Sequence, residues 1–174
     1  MADENKAILL RKIDSVLAKI IKMICIIMLA TIVLITAISV FSRFVFFFPL
    51  NFANPLSIYL MVWISFLGSG LAIRRGEHIF VELFINRFEE KVRLKLLFII
   101  NFIISLFLIS MIYYGFQFAI AGLNSHDEFV FNINMTLPYL SVPIGMLYME
   151  IVIILKTTIQ LLEQKDINLA SEDK

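Results

Sequence analysis

The sequence contains few of the residues from which redox centres, metal sites and catalytic sites are built. Among 174 residues there are one cysteine and two histidines. The single cysteine, Cys25, excludes disulfide frameworks, CxxC redox pairs and thiolate metal clusters. Lys and Arg number 15 against 14 Asp and Glu, and a formal charge of +1 provides no basic surface for nucleic acid. These shortages exclude most redox, metal-cluster and nucleic-acid functions.

Charged residues are also scarce. They make up 17% of the chain, whereas soluble domains carry about 25%. Hydrophobic residues make up 60%, and the mean hydropathy is +0.91. A soluble protein of this length keeps its surface mostly polar and could not bury so much apolar surface in one core. The composition therefore predicts a membrane protein and excludes an intrinsically disordered one.

Four long apolar runs are the main feature of the sequence. At 1.5 Å per residue each is long enough to cross a hydrocarbon core of about 30 Å. The first run exceeds the roughly 7 to 15 apolar residues of a secretory signal, so we interpret it as an uncleaved anchor. The pattern predicts one all-α membrane domain, residues 1–163, with four transmembrane helices at about 23–42, 54–73, 96–122 and 136–159.

The positions of the cations predict the orientation of the four spans. Fourteen of the 15 Lys and Arg residues lie before span one, between spans two and three, or at and beyond the end of span four. Only Arg43 lies on the other side. Because Lys and Arg are retained in cytoplasmic segments, both termini are predicted to be cytoplasmic.

Two segments outside the spans have the apolar periodicity of surface helices, residues 6–21 and 77–94. Both are predicted to lie in the cytoplasmic interface and contact membrane lipids. Two interpretations stay open: the basic flanks either only set the topology or also dock a partner. Residues 164–174 are predicted to form a flexible tail. The basic residues assigned to the membrane surface are Lys6, Arg11, Lys12, Lys19 and Lys22.

The sequence shows no site for a cofactor, a metal or catalysis. His78 and His126 are predicted to lie beyond opposite membrane faces, so they cannot hold one haem. His78 and Glu82 have i, i+4 spacing, but no further metal ligands converge on them. Spans one to three contain no acid of the kind that proton-coupled exporters use. We therefore predict no cofactor, no bound metal and no enzymatic activity.

Two charged side chains in or next to the spans are expected to interact with another polar group. Arg43 closes span one on the outer side and can reach lipid headgroups or a specific acceptor. Glu150 is predicted to lie roughly 9 Å inside the cytoplasmic boundary of span four. A carboxyl group at that depth is expected to be protonated or paired with an arginine, either Arg74 or Arg75 or one from a partner subunit.

Several short motifs together resemble the small membrane subunit of tripartite ATP-independent periplasmic (TRAP) transporters. That family has an arginine closing span one, a (W/Y)-x-x-(F/L)-L-G stretch in span two, an R-x-x-x-H-x-x-x-D sequence after it, and a P-x-x-x-x-P-(I/L)-G pattern opening span four. The matching residues are Arg43; Trp63 with Leu67 and Gly68; Arg74 with His78 and Glu82; and Pro138 with Pro143, Ile144 and Gly145.

The sequence departs from that family at one motif. Where the family has W-x-E-E at the start of span two, this chain has Phe52-Ala53-Asn54-Pro55. The acidic pair is missing, so Arg43 needs another acceptor. The candidates are Asn54, a backbone carbonyl and a lipid phosphate.

The resemblance implies a role for the chain in a three-part transporter of the bacterial inner membrane. Its partners would be a large membrane subunit, which moves the substrate by a sodium-driven elevator motion, and a periplasmic substrate-binding protein. The small subunit would brace the large one during import of an organic anion of the C4-dicarboxylate or sialic acid type. The alternative is a tetraspan assembly or signalling factor with no transport role.

Overall fold

A computed structural model of the chain describes residues 2–75 and 90–172. These residues are almost entirely helical. In chain order the elements are α1 (Ala2–Val45), α2 (Ala53–Arg75), α3 (Glu90–Ala121), a 3-10 turn (Gly122–Asn124), β1 (His126–Asp127), β2 (Ile133–Asn134), α4 (Thr136–Tyr139) and α5 (Ser141–Glu172).

Helix α1 joins the predicted surface segment 6–21 and the predicted span 23–42 in one continuous helix. No proline or glycine occurs before Pro49, so nothing in the sequence interrupts the hydrogen-bond ladder between the two segments. The N-terminal segment therefore extends from span one as the same helix, and the predicted boundary near residue 22 is not marked by a break.

A short loop, residues 46–52, reverses the chain between α1 and α2. Phe47 adopts a positive φ of 55°, and the Ser42 hydroxyl donates a hydrogen bond to the Phe48 carbonyl, which tightens the turn. Pro55 lies in the first turn of α2, where its missing N–H leaves no carbonyl unsatisfied. Helix α2 begins and ends within two residues of the predicted span 54–73.

Helix α3 contains the predicted span 96–122 and begins at Glu90. The end of the predicted surface segment 77–94 is thus part of α3, and its residues 77–89 lie outside the described part of the chain. At the other end, Gly122 turns the chain. A Cβ at this position would lie 2.8 Å from the Tyr139 ring and 3.1 Å from the Thr136 nitrogen, so a side chain would collide with the start of span four.

Span four consists of two helical pieces, α4 and α5, that are separated at Leu140. The reason is Pro143, which has no N–H to donate to the carbonyl four residues earlier. The Ser141 hydroxyl donates to the Pro138 carbonyl at 2.6 Å and satisfies one of the carbonyls near this break. The separation lies within one apolar stretch, Thr136–Ile159, and the Leu140 nitrogen still donates to the Thr136 carbonyl at 2.9 Å. Helix α5 continues to Glu172, and the flexibility predicted for residues 164–174 stays a prediction.

Four helices of the described chain are long and apolar enough to cross a membrane: Ile8–Val45, Ala53–Arg74, Ile99–Asn124 and Thr136–Ile159. The predicted all-α fold with four spans is thus confirmed. Span four is central, because α5 packs against α1, α2 and α3. Half of its apolar stretch is buried within the chain, compared with none of span one.

Candidate partner interface and intramembrane contacts

Glu150 lies in α5 and is buried at 9% exposure. Its Oε1 accepts a hydrogen bond from the hydroxyl of Ser105 in α3. Its Oε2 is also buried and has no hydrogen-bond partner among the described residues. Since a membrane core offers no water, this bond satisfies the carboxyl group in part and holds span three against span four.

A second polar contact joins the same two helices. The Asn101 side-chain amide donates to the Thr157 hydroxyl at 3.0 Å. Asn101 and Ser105 are four residues apart and therefore share one face of α3. Both contacts lie on the face that α3 presents to α5, so this helix pair has a defined rotational setting.

An ion pair on the other side of the bundle connects α1 to the end of α2. The Arg74 Nε lies 2.5 Å from the Asp14 Oδ2, and the exposures of the two side chains are 35% and 19%. Arg74 was an expected partner of Glu150, but it is bound to Asp14 instead. The pair connects the N-terminal part of α1 to the end of α2, and removal of either partner would leave the other charge partly buried and unpaired.

Asp127 organises the loop between spans three and four. Its Oδ2 accepts a 2.5 Å hydrogen bond from the Tyr59 hydroxyl of α2, and its Oδ1 accepts one from the Phe129 nitrogen at 2.9 Å. The first bond ties the loop to span two, and the second closes the turn between the two short strands. Phe131 and Asn132 complete that turn with φ values of 49° and 55°.

Asn134 connects this loop to the ends of spans three and four. Its Nδ2 donates to the Leu123 carbonyl at 2.8 Å, and its Oδ1 accepts from the Thr136 nitrogen at 2.9 Å. The second bond satisfies a free N–H at the start of α4, as helix-capping side chains do. The loop is therefore held to three of the four spans.

Arg43 and Asn54 are both exposed, at the end of the bundle where residues 46–52 connect α1 to α2. Arg43 is in the last turn of α1, where its charge is favoured by the negative end of the helix dipole. Neither side chain has a hydrogen bond or ion pair with any residue in 2–75 or 90–172. The structure thus does not bring Arg43 and Asn54 together, and their partners stay a prediction.

Glycines mark the close approach of the helices. A Cβ on Gly145 of α5 would overlap the Phe66 side chain of α2 and lie 3.1 Å from the Phe66 carbonyl carbon. A Cβ on Gly115 of α3 would lie 3.2 Å from the Pro143 ring. By contrast, Gly68 has nothing within 4 Å of that position, so it faces away from the other described helices.

Two of the remaining predicted site residues, Trp63 and Pro143, pack within the bundle. Trp63 is half-buried and packs against the cluster formed by Leu67, Tyr148 and Val152. Pro143 is fully buried. His78 and Glu82 lie outside the described residues. Within 2–75 and 90–172, no three His, Cys, Asp or Glu side chains lie together as metal ligands would.

The sequence reasoning missed the partners in these contacts. Asp14 lies in segment 6–21, which was predicted to be a surface helix, and the sequence pattern assigned no contact to Tyr59, Ser105 or Asp127. One signal was available, because Asn101 and Ser105 are polar residues four apart in an otherwise apolar run. No comparable signal identified Tyr59 or Asp127.

Comparison with known proteins assigns the chain to a family. The profile described as "Tripartite ATP-independent periplasmic transporters, DctQ component" matches residues 32–164. The chain belongs to this family. The match begins within span one and includes spans two, three and four in full. It therefore includes the contacts described above except the Asp14–Arg74 pair, because Asp14 precedes residue 32. It also favours the transporter interpretation over a tetraspan assembly or signalling factor.

Two proteins of Haemophilus influenzae are similar to this DctQ-component chain. A "Putative TRAP transporter small permease protein" of strain ATCC 51907 is 26% identical over 145 residues, which cover 83% of this chain and 84% of that protein. The "Sialic acid TRAP transporter permease protein SiaT" of strain 86-028NP is 37% identical over 54 residues, 31% of this chain and 9% of SiaT. The first supports a small permease subunit, and the second connects the family to a much larger permease.

Proposed function

We propose that this chain is the stationary small membrane subunit of a sodium-coupled TRAP transporter, and that it braces the large membrane subunit during import of an organic anion. The observation that carries the proposal is the DctQ-component match over residues 32–164, which includes sequence from all four spans. The transporter is placed in the bacterial inner membrane, where a periplasmic binding protein delivers the anion to the large subunit.

The charged groups Glu150 and Arg74, in and next to the spans, support a bracing role because each connects one helix to another. Glu150 is bound to Ser105, and Arg74 is bound to Asp14. Secondary transporters that work alone usually have matched broken helices at the midplane. In the described spans the one break, at Leu140, lies near the start of span four. These features suit a rigid scaffold better than a substrate path.

The substrate class is proposed from the relatives. The name of SiaT refers to sialic acid, and the aligned segment is only 9% of that protein. We therefore propose an organic anion of the sialic acid or C4-dicarboxylate type. No described residue of this chain favours one over the other, because the large subunit and the binding protein would contact the substrate.

Reconstitution tests the proposal. Vesicles would contain this chain alone, the large subunit alone, or both, each with the binding protein, a sodium gradient and labelled sialic acid or C4-dicarboxylates. We expect uptake with both subunits, little or none with the large subunit alone, and none with this chain alone. Uptake by this chain alone would contradict bracing, and full uptake by the large subunit alone would show that no brace is needed.

A comparison of the inward-facing and outward-facing transporter distinguishes a stationary subunit from one that moves. Photocross-links from this chain to the large subunit are expected to form in equal yield whether the transporter is held facing inward or outward. The control is a cross-linker on the moving part of the large subunit, whose yield should change with state. Cross-links from this chain that appear in only one state would contradict a stationary role.

A further inference from the structure

Four hydrogen-bonding side chains lie on one face in the middle of span three. Ser110, Tyr113, Tyr114 and Gln117 are separated by three, four and seven residues, which places them together on one side of α3. All four are exposed, with Tyr113 and Tyr114 at 60% and 63%. We call these four residues the span-three polar face.

This face points away from the rest of the described bundle. Leu108 and Ala119 of α3 are buried. At about 100° per residue, Leu108 lies about 200° around the helix from Ser110, and Ala119 lies about 200° from Gln117. The buried side of α3 is the one that packs against α5, through contacts such as Ser105 with Glu150. The span-three polar face is therefore open to a neighbour in the membrane.

The depth of the span-three polar face excludes an ordinary interfacial position. Ser110 is 11 residues from Ile99, and Tyr114 is 10 residues from Asn124, the two ends of the apolar span. At 1.5 Å per residue, Ser110 and Tyr114 lie about 15 Å or more from the nearer end, and Gln117, seven residues from Asn124, lies about 10 Å from it. Tyrosines of an aromatic belt lie at headgroup level, whereas these lie near the midplane.

The four side chains form no hydrogen bond with any residue that the structure describes. Two other exposed hydroxyls in the spans are bonded within their own helix: Ser65 donates to the Met61 carbonyl at 2.9 Å, and Ser69 donates to the Ser65 carbonyl at 2.7 Å. The phenols and the amide of the polar face have no such local bond. Thr36 of α1 is also an exposed hydroxyl without such a bond, but it stands alone. The span-three polar face instead has four hydrogen-bonding side chains within about two turns of α3.

Unpartnered polar groups at this depth are unfavourable in lipid, which offers no hydrogen bonds, and favourable against another helix. We propose that the span-three polar face binds a membrane-spanning helix of the large subunit that carries hydrogen-bonding or small side chains. This inference rests on the proposed function.

A second copy of this chain is the other possible occupant. However, the described spans offer one such face, and a dimer through it would leave none for the transporter's other membrane component.

Photocross-linking tests the position of the interface. Benzoylphenylalanine would replace Tyr114 or Gln117, with Leu34 as the control because it is 61% exposed and lies at similar depth in α1. The variants would be co-expressed with the large subunit of the same organism and irradiated in membranes. We expect a product with the large subunit from positions 114 and 117 in at least tenfold higher yield than from position 34.

The outcomes separate this inference from the proposed function. Co-purification of the large subunit with equal or higher cross-linking from position 34 would overturn the interface and leave the function standing. Products containing two copies of this chain, or lipid alone, would overturn the proposed occupant. Failure of the large subunit to co-purify with any variant, including the unmodified chain, would overturn both the function and the inference.

Removal of the polar groups tests their contribution. The combined variant Ser110→Ala, Tyr113→Phe, Tyr114→Phe and Gln117→Leu keeps an apolar face of similar shape, so the helix should still insert. We expect co-purified large subunit to fall at least threefold. The matched control is Ser65→Ala with Ser69→Ala, which removes two exposed hydroxyls that are already bonded within α2. Equal co-purification of both variants would overturn the role of the hydrogen bonds.

Discussion

Single polar residues determine how the spans of this protein contact one another. Glu150 and Ser105 are 45 residues apart in sequence and lie on helices that are mostly apolar. Rotating either helix would break this bond and the Asn101–Thr157 bond, and it would expose the carboxyl group to hydrocarbon. The two hydrogen bonds therefore favour one rotational setting of this helix pair.

We expect Glu150→Gln to change the free energy of unfolding by less than about 1 kcal/mol, because glutamine still offers an acceptor to Ser105. Ser105→Ala leaves the buried carboxyl group without its donor and should cost about 1–3 kcal/mol. Unfolding of the purified chain in detergent measures both values, and the double variant gives their coupling. Ser65→Ala is the control, since its hydroxyl is exposed and bonded within its own helix. Zero coupling would show that the two groups act independently.

At the scale of the elements, α5 is the helix against which the others pack, and glycines allow two of these approaches. Gly145 brings α5 against the backbone of Phe66 in α2, and Gly115 accommodates the Pro143 ring. Close backbone approach at small residues is the usual basis of helix association in membranes, where hydrophobic burial gives little preference for protein over lipid. The span-three polar face lies on the side of α3 that these contacts leave open.

Two glycine substitutions separate packing from helix propensity. Gly145→Ala should lower the free energy of unfolding of the isolated chain by about 1–3 kcal/mol, because the new methyl group meets Phe66 backbone atoms that cannot move aside cheaply. Gly68→Ala should be neutral or stabilising by up to about 1 kcal/mol, since the site is open and alanine favours helix. Thermal unfolding in detergent compares the two. Equal destabilisation would mean that the contact at Phe66 is not what glycine provides.

At the scale of the whole molecule, the described contacts hold all four spans in one unit. The Asp14–Arg74 pair lies at one end of the spans, and the Tyr59–Asp127 bond lies at the other. Glu150 and Ser105 join spans three and four between these ends. A bundle that is connected at both ends and in its interior is suited to remain fixed while a neighbouring domain moves, as bracing requires.

The predicted orientation places both termini in the cytoplasm, because fourteen of 15 cations lie at that side. A reporter enzyme fused after Lys174 should therefore be active only if it works in the cytoplasm. One inserted near Asn124 should be active only if it works in the periplasm. A cytoplasmic reporter and a periplasmic reporter would be tested at each site, so that each serves as the control for the other. The reverse activity at either position would contradict the topology.

The sequence by itself determined the number of spans and the family. These properties depend on the length of apolar runs and on short motifs such as Trp63 with Leu67-Gly68, which are local quantities. The break at Leu140 was not anticipated, although Pro143 was recognised, because the sequence does not show whether a proline will bend or interrupt a helix.

Only the tertiary structure decided which helix faces meet. Asp14 and Arg74 are 60 residues apart, and Tyr59 and Asp127 are 68 residues apart. In a soluble protein the apolar side of a helix indicates its buried side, but in a membrane the lipid-facing side is equally apolar. The hydrophobic pattern thus carries no information on helix rotation here. The partners of Glu150 and Arg74, and the open position of the span-three polar face, follow from helix packing that the sequence pattern does not encode.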